Sequence, residues 1–245
     1  MDVRVLDPAG YEREGTLHDG TVYLGDGDWR PASVTFLPPA SPTKIVCLAR
    51  NVAAHAAEHD AEVPSRPSYF LKPPSSLAAH RGTVVIPPAI DAVEYEAELA
   101  AVVGRQLTGV DEADAVAGLA GLTIMNDLSN RADQRRELNW VRGKAFDGAA
   151  PLGPGLVDPE AVPEDARIEL RVNGEVRQRG SRADYAFALP TVLADLTRYV
   201  TLEPGDVVAM GTPAGVGPLD DGDEVAITIE GIGTLEHGVR YFDAS

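Results

Sequence analysis

The chain contains 245 residues, of which 44% are hydrophobic, and it carries a formal net charge of −17. A chain of this length can bury a core that needs no disulfide or structural metal, and its single cysteine, Cys47, excludes an internal disulfide. The negative charge argues against nucleic acid or an anionic membrane surface as a partner, because both would be repelled.

Targeting and membrane signals favour a soluble cytoplasmic protein. The first residues lack the basic and then apolar layout of a secretory signal, and no apolar run approaches the roughly 18 residues of a membrane span. Only three of the 21 basic residues are lysines, namely Lys44, Lys72 and Lys144. An acidic, lysine-poor surface suggests a high-salt cytoplasm, and a GC-rich genome that favours arginine is the alternative. Under either cause, we expect the remaining lysines to lie where a compact ammonium group is needed.

Short strand patterns dominate the chain from its beginning. Residues 1–40 are typical of a small β-rich N-terminal segment, the stretch LPPASPT follows as a linker, and residues 44–245 form the predicted main domain. Within that domain, apolar runs such as KIVCLA, ELAAVVG and GDVVAMG predict further strands.

Helical patterns are few, and we predict helices over residues 51–61, 111–120 and 189–200. The sequence VNGE, at residues 172–175, places an Asn-Gly turn between two alternating runs, which predicts a β-hairpin. We therefore predict a mixed α/β fold that is predominantly β, with few helices and a single main domain.

The segment EYEAELAAVVG places Glu94, Glu96 and Glu98 at alternate positions, where they share one face if the segment is a strand. One interpretation is a solvated strand face in an acidic protein. The other is a buried cluster, which needs a cation because the carboxylates repel each other, and hard oxygen ligands select Mg²⁺, Mn²⁺ or Ca²⁺ rather than Zn²⁺. Asp127 follows the apolar stretch GLTIM and is a natural third ligand, although Asn-Asp at a strand end is also ordinary turn chemistry.

A set of motifs in a fixed order resembles the fumarylacetoacetate hydrolase (FAH) family. The motifs are EYEAELA, NDLSNRADQ, GKAFDG with PLGPGLV, LRVNGEVRQ, LEPGDVVAMGTPAGVG and GIGTL, and the match covers residues 44 to 239 approximately. The resemblance implies a β-roll fold and a homodimer. It also implies a divalent metal, usually Mg²⁺ or Mn²⁺, with Glu96, Glu98 and Asp127 as ligands and Glu94 beside the site.

His55 and Glu58 lie three positions apart, on one face of a predicted short helix. A surface helix with a partnered histidine is one interpretation. With His59 they also spell H-x-x-E-H, the inverted zinc-peptidase motif, which we discount because the helix soon meets prolines and no further ligand follows nearby. In the family that the sequence resembles, a His-Glu dyad in a lid activates water, and ARNVAAHAAE matches that lid. His55 and Glu58 are therefore the predicted catalytic dyad.

Other matches to family motifs imply the remaining site residues. Lys144 in WVRGKAFDG matches the active-site lysine, which would stabilise negative charge on a substrate keto oxygen. Arg131 and Gln134 match residues that reach substrate oxygens, and Thr212 in GTPAGVG closes the opposite wall. Lys72 in FLKPPSS also matches the family, with either a structural or a substrate-facing role.

The sequence departs from the family pattern near these positions. Val52 stands where an aromatic residue is common, Ala49 where glycine is usual, and Ala132 where an aspartate normally follows the arginine. Gly148 and Ala149 replace bulkier residues. We expect these changes to affect substrate selectivity more than metal binding.

The predicted function is divalent-metal-dependent hydrolysis of a carbon-carbon bond in a small 2-oxo acid of the acylpyruvate or fumarylpyruvate type. Such an acid can chelate a metal through its carboxylate and keto oxygen, and cleavage then produces an enolate that the metal and Lys144 would stabilise. Alternatives within the family are an oxaloacetate-type decarboxylase, a 2-hydroxyhepta-2,4-diene-1,7-dioate isomerase and a sugar-acid dehydratase. A catalytically silent metal-binding or ligand-binding protein is the alternative outside enzymes, and the intact set of candidate residues argues against it.

Overall fold

The structure is a computed structural model that describes residues 1–25, 27–58 and 60–242. Strands β1 to β19 span Asp2–Leu6, Glu12–His18, Thr21–Tyr23, Asp28–Trp29, Thr35–Leu37, Ile45–Leu48, Tyr69–Lys72, Leu77–Ala79, Thr83–Ile86, Val93–Tyr95, Ala97–Val103, Leu119–Asn126, Ala150–Val157, Arg167–Val172, Glu175–Ser181, Val207–Ala209, Gly217–Leu219, Glu224–Ile229 and Gly233–Tyr241. Helices α1 to α5 span Ala53–Glu58, Glu112–Ala117, Arg131–Gln134, Val141–Lys144 and Leu189–Leu196. Short 3₁₀ helices lie at Pro31–Ser33, Pro74–Ser76, Pro159–Ala161 and Arg182–Asp184.

A twelve-stranded sheet runs through the molecule in the order β4-β3-β2-β1-β13-β12-β11-β16-β6-β7, with β5 beside β1 and β8 beside β13. Strand β11 lies well inside this sheet, antiparallel to β12 on one side and β16 on the other. Every residue of β11 is buried. Burial on both faces explains why its sequence, AELAAVV, becomes a continuous apolar run after the glutamate.

A five-stranded sheet has the order β15-β14-β18-β19-β9, and β10 and β17 form a separate pair. The β14–β15 hairpin confirms the prediction at VNGE. Asn173 and Gly174 have φ angles of 51° and 80°, the left-handed conformation that a two-residue hairpin turn requires.

The main hydrophobic core joins the two larger sheets. Leu99 of β11 and Ile124 of β12 belong to the same buried cluster as Ile168 of β14 and Ile227 of β18. Met125, next along β12, belongs to a second cluster on the opposite face of the large sheet. The strands that lead to the predicted metal ligands are therefore packed on both faces, and their ends are held in place.

The first five strands enclose a small hydrophobic cluster of their own, formed by Val3, Val5, Val22, Leu24 and Phe36. Strand β1 connects them to the large sheet by pairing with β13. The predicted fold class is confirmed: the chain is predominantly β, with few helices, one main domain and a β-rich N-terminal segment. The domain boundary proposed between residues 40 and 44 stays a prediction.

The helices are shorter than the sequence patterns predict. The three predicted helices correspond to α1, α2 and α5, and α2 ends at Ala117 because Gly118 caps it and Leu119 enters β12. His59 of the first pattern lies outside the described residues. The patterns do not predict α3 and α4, since four residues are too few for helical periodicity to be recognised. Among the described residues, no helix has both the length and the apolar character needed to cross a membrane.

Candidate active site

The chain changes sheets at Glu96, and this change places two glutamates in one buried site. Strand β10 ends at Tyr95 and pairs with β17, whereas β11 begins at Ala97 in the large sheet. A single strand over this segment would place all three glutamates on one face, and the structure instead divides the segment at Glu96. Glu96 and Glu98 are 3% and 1% exposed, so the interpretation as a solvated strand face is wrong for these two residues.

Asp127 completes the cluster from the end of β12. Its backbone N–H donates to the carbonyl oxygen of Glu96 at 2.9 Å, so the end of β12 lies beside the strand break. One carboxylate oxygen from each of Glu96, Glu98 and Asp127 lies within 4.8 Å of the other two. The structure thus brings together the three predicted metal ligands.

Two buried lysines contact this cluster. Lys144 Nζ donates to Glu96 Oε2 at 2.9 Å and to Asp127 Oδ2 at 2.7 Å. Lys72 Nζ lies 2.6 Å from Asp127 Oδ1 and donates to three backbone oxygens within the segment 128–149. Lys72 therefore holds the two ends of the segment that carries Lys144, and both lysines lie where a compact ammonium group is needed.

Arg131, the first residue of α3, pairs with carboxylates rather than projecting freely into the site. Its Nε donates to Glu94 Oε2 at 2.7 Å and its Nη1 to Gln134 Oε1 at 2.8 Å, while its Nη2 donates to Glu96 Oε1. Glu94 is thus linked to the buried cluster through Arg131, the arginine that contacts Glu96.

Neighbouring charges shift the pKa values of the two buried glutamates in opposite directions. Burial raises the pKa of Glu98, the two neighbouring carboxylates raise it further, and the donor that reaches Glu98 is the backbone N–H of Gly211 at 2.8 Å. Burial also acts to raise the pKa of Glu96, but Lys144 and Arg131 outweigh it and hold that pKa below its usual value. Glu98 is therefore the carboxylate that a bound cation would stabilise most.

The donor set of this cluster fits a divalent metal. All three side chains offer oxygen, the ligand type of Mg²⁺ and Mn²⁺. Asp127 Oδ1 is buried and receives no hydrogen bond from any described residue, because the nearby Lys72 ammonium is close but poorly aligned. Glu96, Glu98 and Asp127 are the residues that would hold the ion.

Helix α1 places His55 at the cavity wall. His55 Nδ1 lies 3.2 Å from Glu58 Oε2, and Glu58 Oε1 accepts a hydrogen bond from the N–H of Gly215 at 2.7 Å. Ahead of the helix, the side-chain amide of Asn51 donates to the carbonyl oxygen of Met210 at 2.9 Å. The predicted dyad is therefore assembled, and both ends of α1 are anchored to the segment 210–215.

A cavity of about 380 Å³ opens onto these groups. The predicted site residues that line it are His55, Glu96, Glu98, Arg131, Gln134, Lys144 and Thr212. Glu58 and Asp127 are not part of the lining. Phe70 and Trp140 add an aromatic side, with ring centroids 5.4 Å apart, and Lys144 Nζ lies 5.2 Å from the centroid of the Phe70 ring.

Two exposed arginines, Arg50 and Arg135, also line the cavity. Among the described residues, neither side chain has a hydrogen-bond or ion-pair partner. Both guanidinium groups are therefore free to meet a ligand at this cavity. They can bind an anionic part of a ligand.

The sequence reasoning missed Asn126 and Gln178, which lie buried beside the carboxylates. The Oδ1 atom of Asn126 accepts the N–H of Glu96 at 2.8 Å, and the Oε1 atom of Gln178 accepts the N–H of Ala97 at 3.0 Å. A signal was available for both. Asn126 ends an apolar run directly before Asp127, and Gln178 is a polar residue at a buried position of an alternating strand.

Comparisons with known proteins agree with the family resemblance that the motifs indicate. The family model described as fumarylacetoacetate (FAA) hydrolase C-terminal matches residues 44–240. A mitochondrial oxaloacetate tautomerase from Homo sapiens is 39% identical over 216 residues, which cover 83% of this chain and 69% of that protein.

Solved structures share the fold over most of the chain. A 5-carboxymethyl-2-hydroxymuconate delta-isomerase from Mycobacterium smegmatis superimposes with a TM-score of 0.89 and 36% identity, covering 99% of both chains. A fumarylpyruvate hydrolase from Pseudomonas aeruginosa, in complex with Mn²⁺ and pyruvate, has a TM-score of 0.75 and 31% identity, covering 81% of this chain and 90% of that one.

Proposed function

The chain belongs to the fumarylacetoacetate hydrolase family, and from this membership we propose that it is a divalent-metal-dependent enzyme that interconverts the enol and keto forms of a 2-oxo dicarboxylic acid. The observation that carries the proposal is the buried cluster of Glu96, Glu98 and Asp127, with Lys144 against it, beside a cavity of small-molecule size. When bound, Mg²⁺ or Mn²⁺ would draw electron density from the 2-oxo acid and so acidify the adjacent carbon.

Lys144, Arg131 and Gln134 would bind the acid. Burial acts to lower the pKa of Lys144, but Asp127 and Glu96 outweigh burial and raise it, so the lysine is a cation at neutral pH. That cation would stabilise negative charge on the keto oxygen as a proton leaves the neighbouring carbon. Arg131 and Gln134 line the same cavity and would contact the substrate carboxylate.

His55 would move the proton. As the dyad histidine that lines the cavity, it can take the proton from the enol hydroxyl and return a proton to the carbon, without breaking a carbon-carbon bond. Glu58, whose other oxygen is held by Gly215, would fix the orientation of the imidazole ring.

The choice of a dicarboxylic substrate and of isomerisation has two supports. Arg50 and Arg135 offer unpaired positive charge for a second carboxylate. Two relatives are also named for isomerisation, one an oxaloacetate tautomerase and the other a delta-isomerase.

Hydrolysis of an acylpyruvate, the first choice from the sequence, is the second candidate. The His55 and Glu58 dyad favours it, because the same pair can activate a water molecule for attack on a second carbonyl group. The Pseudomonas aeruginosa relative is a fumarylpyruvate hydrolase. The two candidates use the same metal ligands and differ in whether water reaches the substrate.

A spectrophotometric assay with Mg²⁺, Mn²⁺ or EDTA separates the two candidates. A tautomerase accelerates the loss of enol absorbance from freshly dissolved enol-oxaloacetate, whereas a hydrolase removes the diketo absorbance of acetylpyruvate or fumarylpyruvate and releases pyruvate. EDTA and the Glu96→Ala substitution should abolish either activity, and Thr123→Val, away from the cavity, should retain it. No turnover of any of these acids while Mn²⁺ is bound would contradict both candidates and favour a silent metal-binding protein.

Two further proposals concern the whole protein. We propose a homodimer, as the family resemblance implies, and a cytoplasmic location. Sedimentation velocity at several protein concentrations measures the first, and a species with the mass of one chain at all concentrations would contradict it.

A further inference from the structure

We propose that Asn126 and Gln178 are positioning residues, which set the places of Glu96 and Glu98 by binding two backbone N–H groups. This inference rests on the proposed metal site. It identifies the side chains on which the geometry of that site depends.

The strand carrying both glutamates keeps β12 beside it where the candidate metal site begins, through the pair Ala97 and Asn126, but it loses the neighbour on its other side. Strand β16 pairs with β11 only from Ala100 onward, and β10 belongs to another sheet. The N–H groups of Glu96 and Ala97 therefore need other acceptors, because a buried N–H without an acceptor is costly.

Two buried side-chain amides supply those acceptors. Asn126 Oδ1 lies 2.8 Å from the nitrogen of Glu96, and Gln178 Oε1 lies 3.0 Å from the nitrogen of Ala97. Consecutive N–H groups of an extended chain point to opposite sides. The two amides therefore hold the backbone at Glu96 from both sides.

Gln178 also binds the segment that forms the opposite wall of the cavity. Its Nε2 donates to Thr212 Oγ1 at 2.8 Å and to the carbonyl oxygen of Pro213 at 2.7 Å. The same segment supplies the Gly211 N–H that reaches Glu98. One side chain thus couples the glutamate strand to the loop that faces it.

Asn126 is held in turn by His237 of β19, with its Nδ2 atom 2.9 Å from His237 Nε2. His237 Nδ1 lies 3.2 Å from the carbonyl oxygen of Gly238, so the neutral ring donates there and accepts from the amide. Strands β15 and β19, which carry Gln178 and His237, both belong to the five-stranded sheet. Among the described residues, none from that sheet lines the cavity. Its side chains nevertheless hold the backbone that carries the candidate ligands.

A Mn²⁺ titration monitored by electron paramagnetic resonance distinguishes a positioning role from a merely structural role. The variants are Gln178→Met and Asn126→Leu, which keep the approximate size of each side chain and remove both hydrogen-bonding ends. The matched control is Thr123→Val. Thr123 lies on β12 with Asn126, is fully buried, and donates one hydrogen bond to the carbonyl oxygen of Gly153 at 3.1 Å.

We expect the Mn²⁺ dissociation constant to rise about tenfold or more in both variants, with an altered spectrum of the bound ion. Thr123→Val should lower the melting temperature while keeping wild-type affinity. If Gln178→Met fails to fold, Gln178→Asn replaces it, since its amide is one methylene too short to reach both Ala97 and Thr212.

The outcomes separate this inference from the proposed function. Wild-type Mn²⁺ affinity in the Gln178 and Asn126 variants, with stability loss like that of Thr123→Val, would overturn the positioning role and leave the metal site standing. A wild-type protein that does not bind Mn²⁺ would overturn the metal site and the positioning role together.

Discussion

Glu98 is a buried carboxylate beside two other carboxylates, and the donor that reaches it is one backbone N–H group. Burial and like charges both disfavour its ionised form, so the residue destabilises the folded chain. Perturbed carboxylates of this kind concentrate at functional sites, where a cation offsets the cost. At the scale of this single residue, the charge that favours metal binding disfavours folding of the metal-free protein.

We therefore expect Glu98→Gln to raise stability in EDTA while weakening Mn²⁺ binding. The amide oxygen can still accept the Gly211 N–H, and the repulsion within the cluster is relieved. The melting temperature in EDTA should rise by about 2–4 °C, as a gain of roughly 1 kcal/mol would produce, and Mn²⁺ affinity should fall by at least about tenfold.

Glu94→Gln is the matched control, because it removes the same charge four positions earlier in the chain. The Glu94 side chain is partly exposed and bound to Arg131. It should change Mn²⁺ affinity much less. A Glu98→Gln protein that melts below the wild type in EDTA would contradict the assignment of Glu98 as a destabilised group.

At the scale of secondary-structure elements, His80 contacts both the N-terminal strands and the five-stranded sheet. The Phe36 ring of β5 packs edge-on against the imidazole, with centroids 4.7 Å apart, and His80 Nδ1 accepts the N–H of Glu236 in β19 at 3.0 Å. Burial, with Arg81 adding to it, lowers the pKa of His80 to about 4. The imidazole is therefore neutral in the folded protein at neutral pH.

This shift predicts that acid weakens the molecule at pH values above the usual range of carboxylate titration. The unfolded state, with a histidine pKa near 6.5, binds the proton more readily, so stability falls as pH drops from about 6.5 to about 4. Between about pH 7 and about pH 5, His80 should account for a loss of about 2 kcal/mol in the free energy of unfolding.

Urea denaturation at the two pH values measures this loss, with His80→Gln as the comparison. Burial lowers the pKa of His237 to about 4 as well, so the wild-type protein should show contributions from both histidines. The variant should lose the contribution of His80 and keep that of His237. Equal pH dependence in the two proteins would show that His80 is not the titrating group.

At the scale of the whole molecule, the net charge of −17 makes the folded chain repel itself. Salt reduces this repulsion, since the screening length falls from about 10 Å at 0.1 M to about 3 Å at 1 M. A high-salt environment, one of the two explanations for the lysine-poor, acidic composition, would require such a response.

We expect the melting temperature to rise by several degrees, on the order of 5 °C, between about 0.1 M and about 1 M KCl. Differential scanning fluorimetry measures the change, and sorbitol at equal osmolality controls for solvent effects that do not depend on charge. A melting temperature that is flat or falls with KCl would favour a GC-rich genome as the reason for the composition.

The features that depended on local spacing could be predicted from the sequence. The hairpin at Asn173 and Gly174 follows from turn chemistry, and the buried strand over Ala97–Val103 follows from the apolar run after Glu98. The order of the motifs indicates the family, and that resemblance implies Glu96, Glu98 and Asp127 as the metal ligands.

Only the tertiary structure decided how these residues are held. It divides the glutamate segment at Glu96, pairs Arg131 with Glu94 and Glu96, and places Lys72 against Asp127. Gln178 binds the N–H of a residue 81 positions away. Spacing along the chain determines which face a side chain occupies. It does not determine which distant donor meets which acceptor, because that depends on how whole sheets pack.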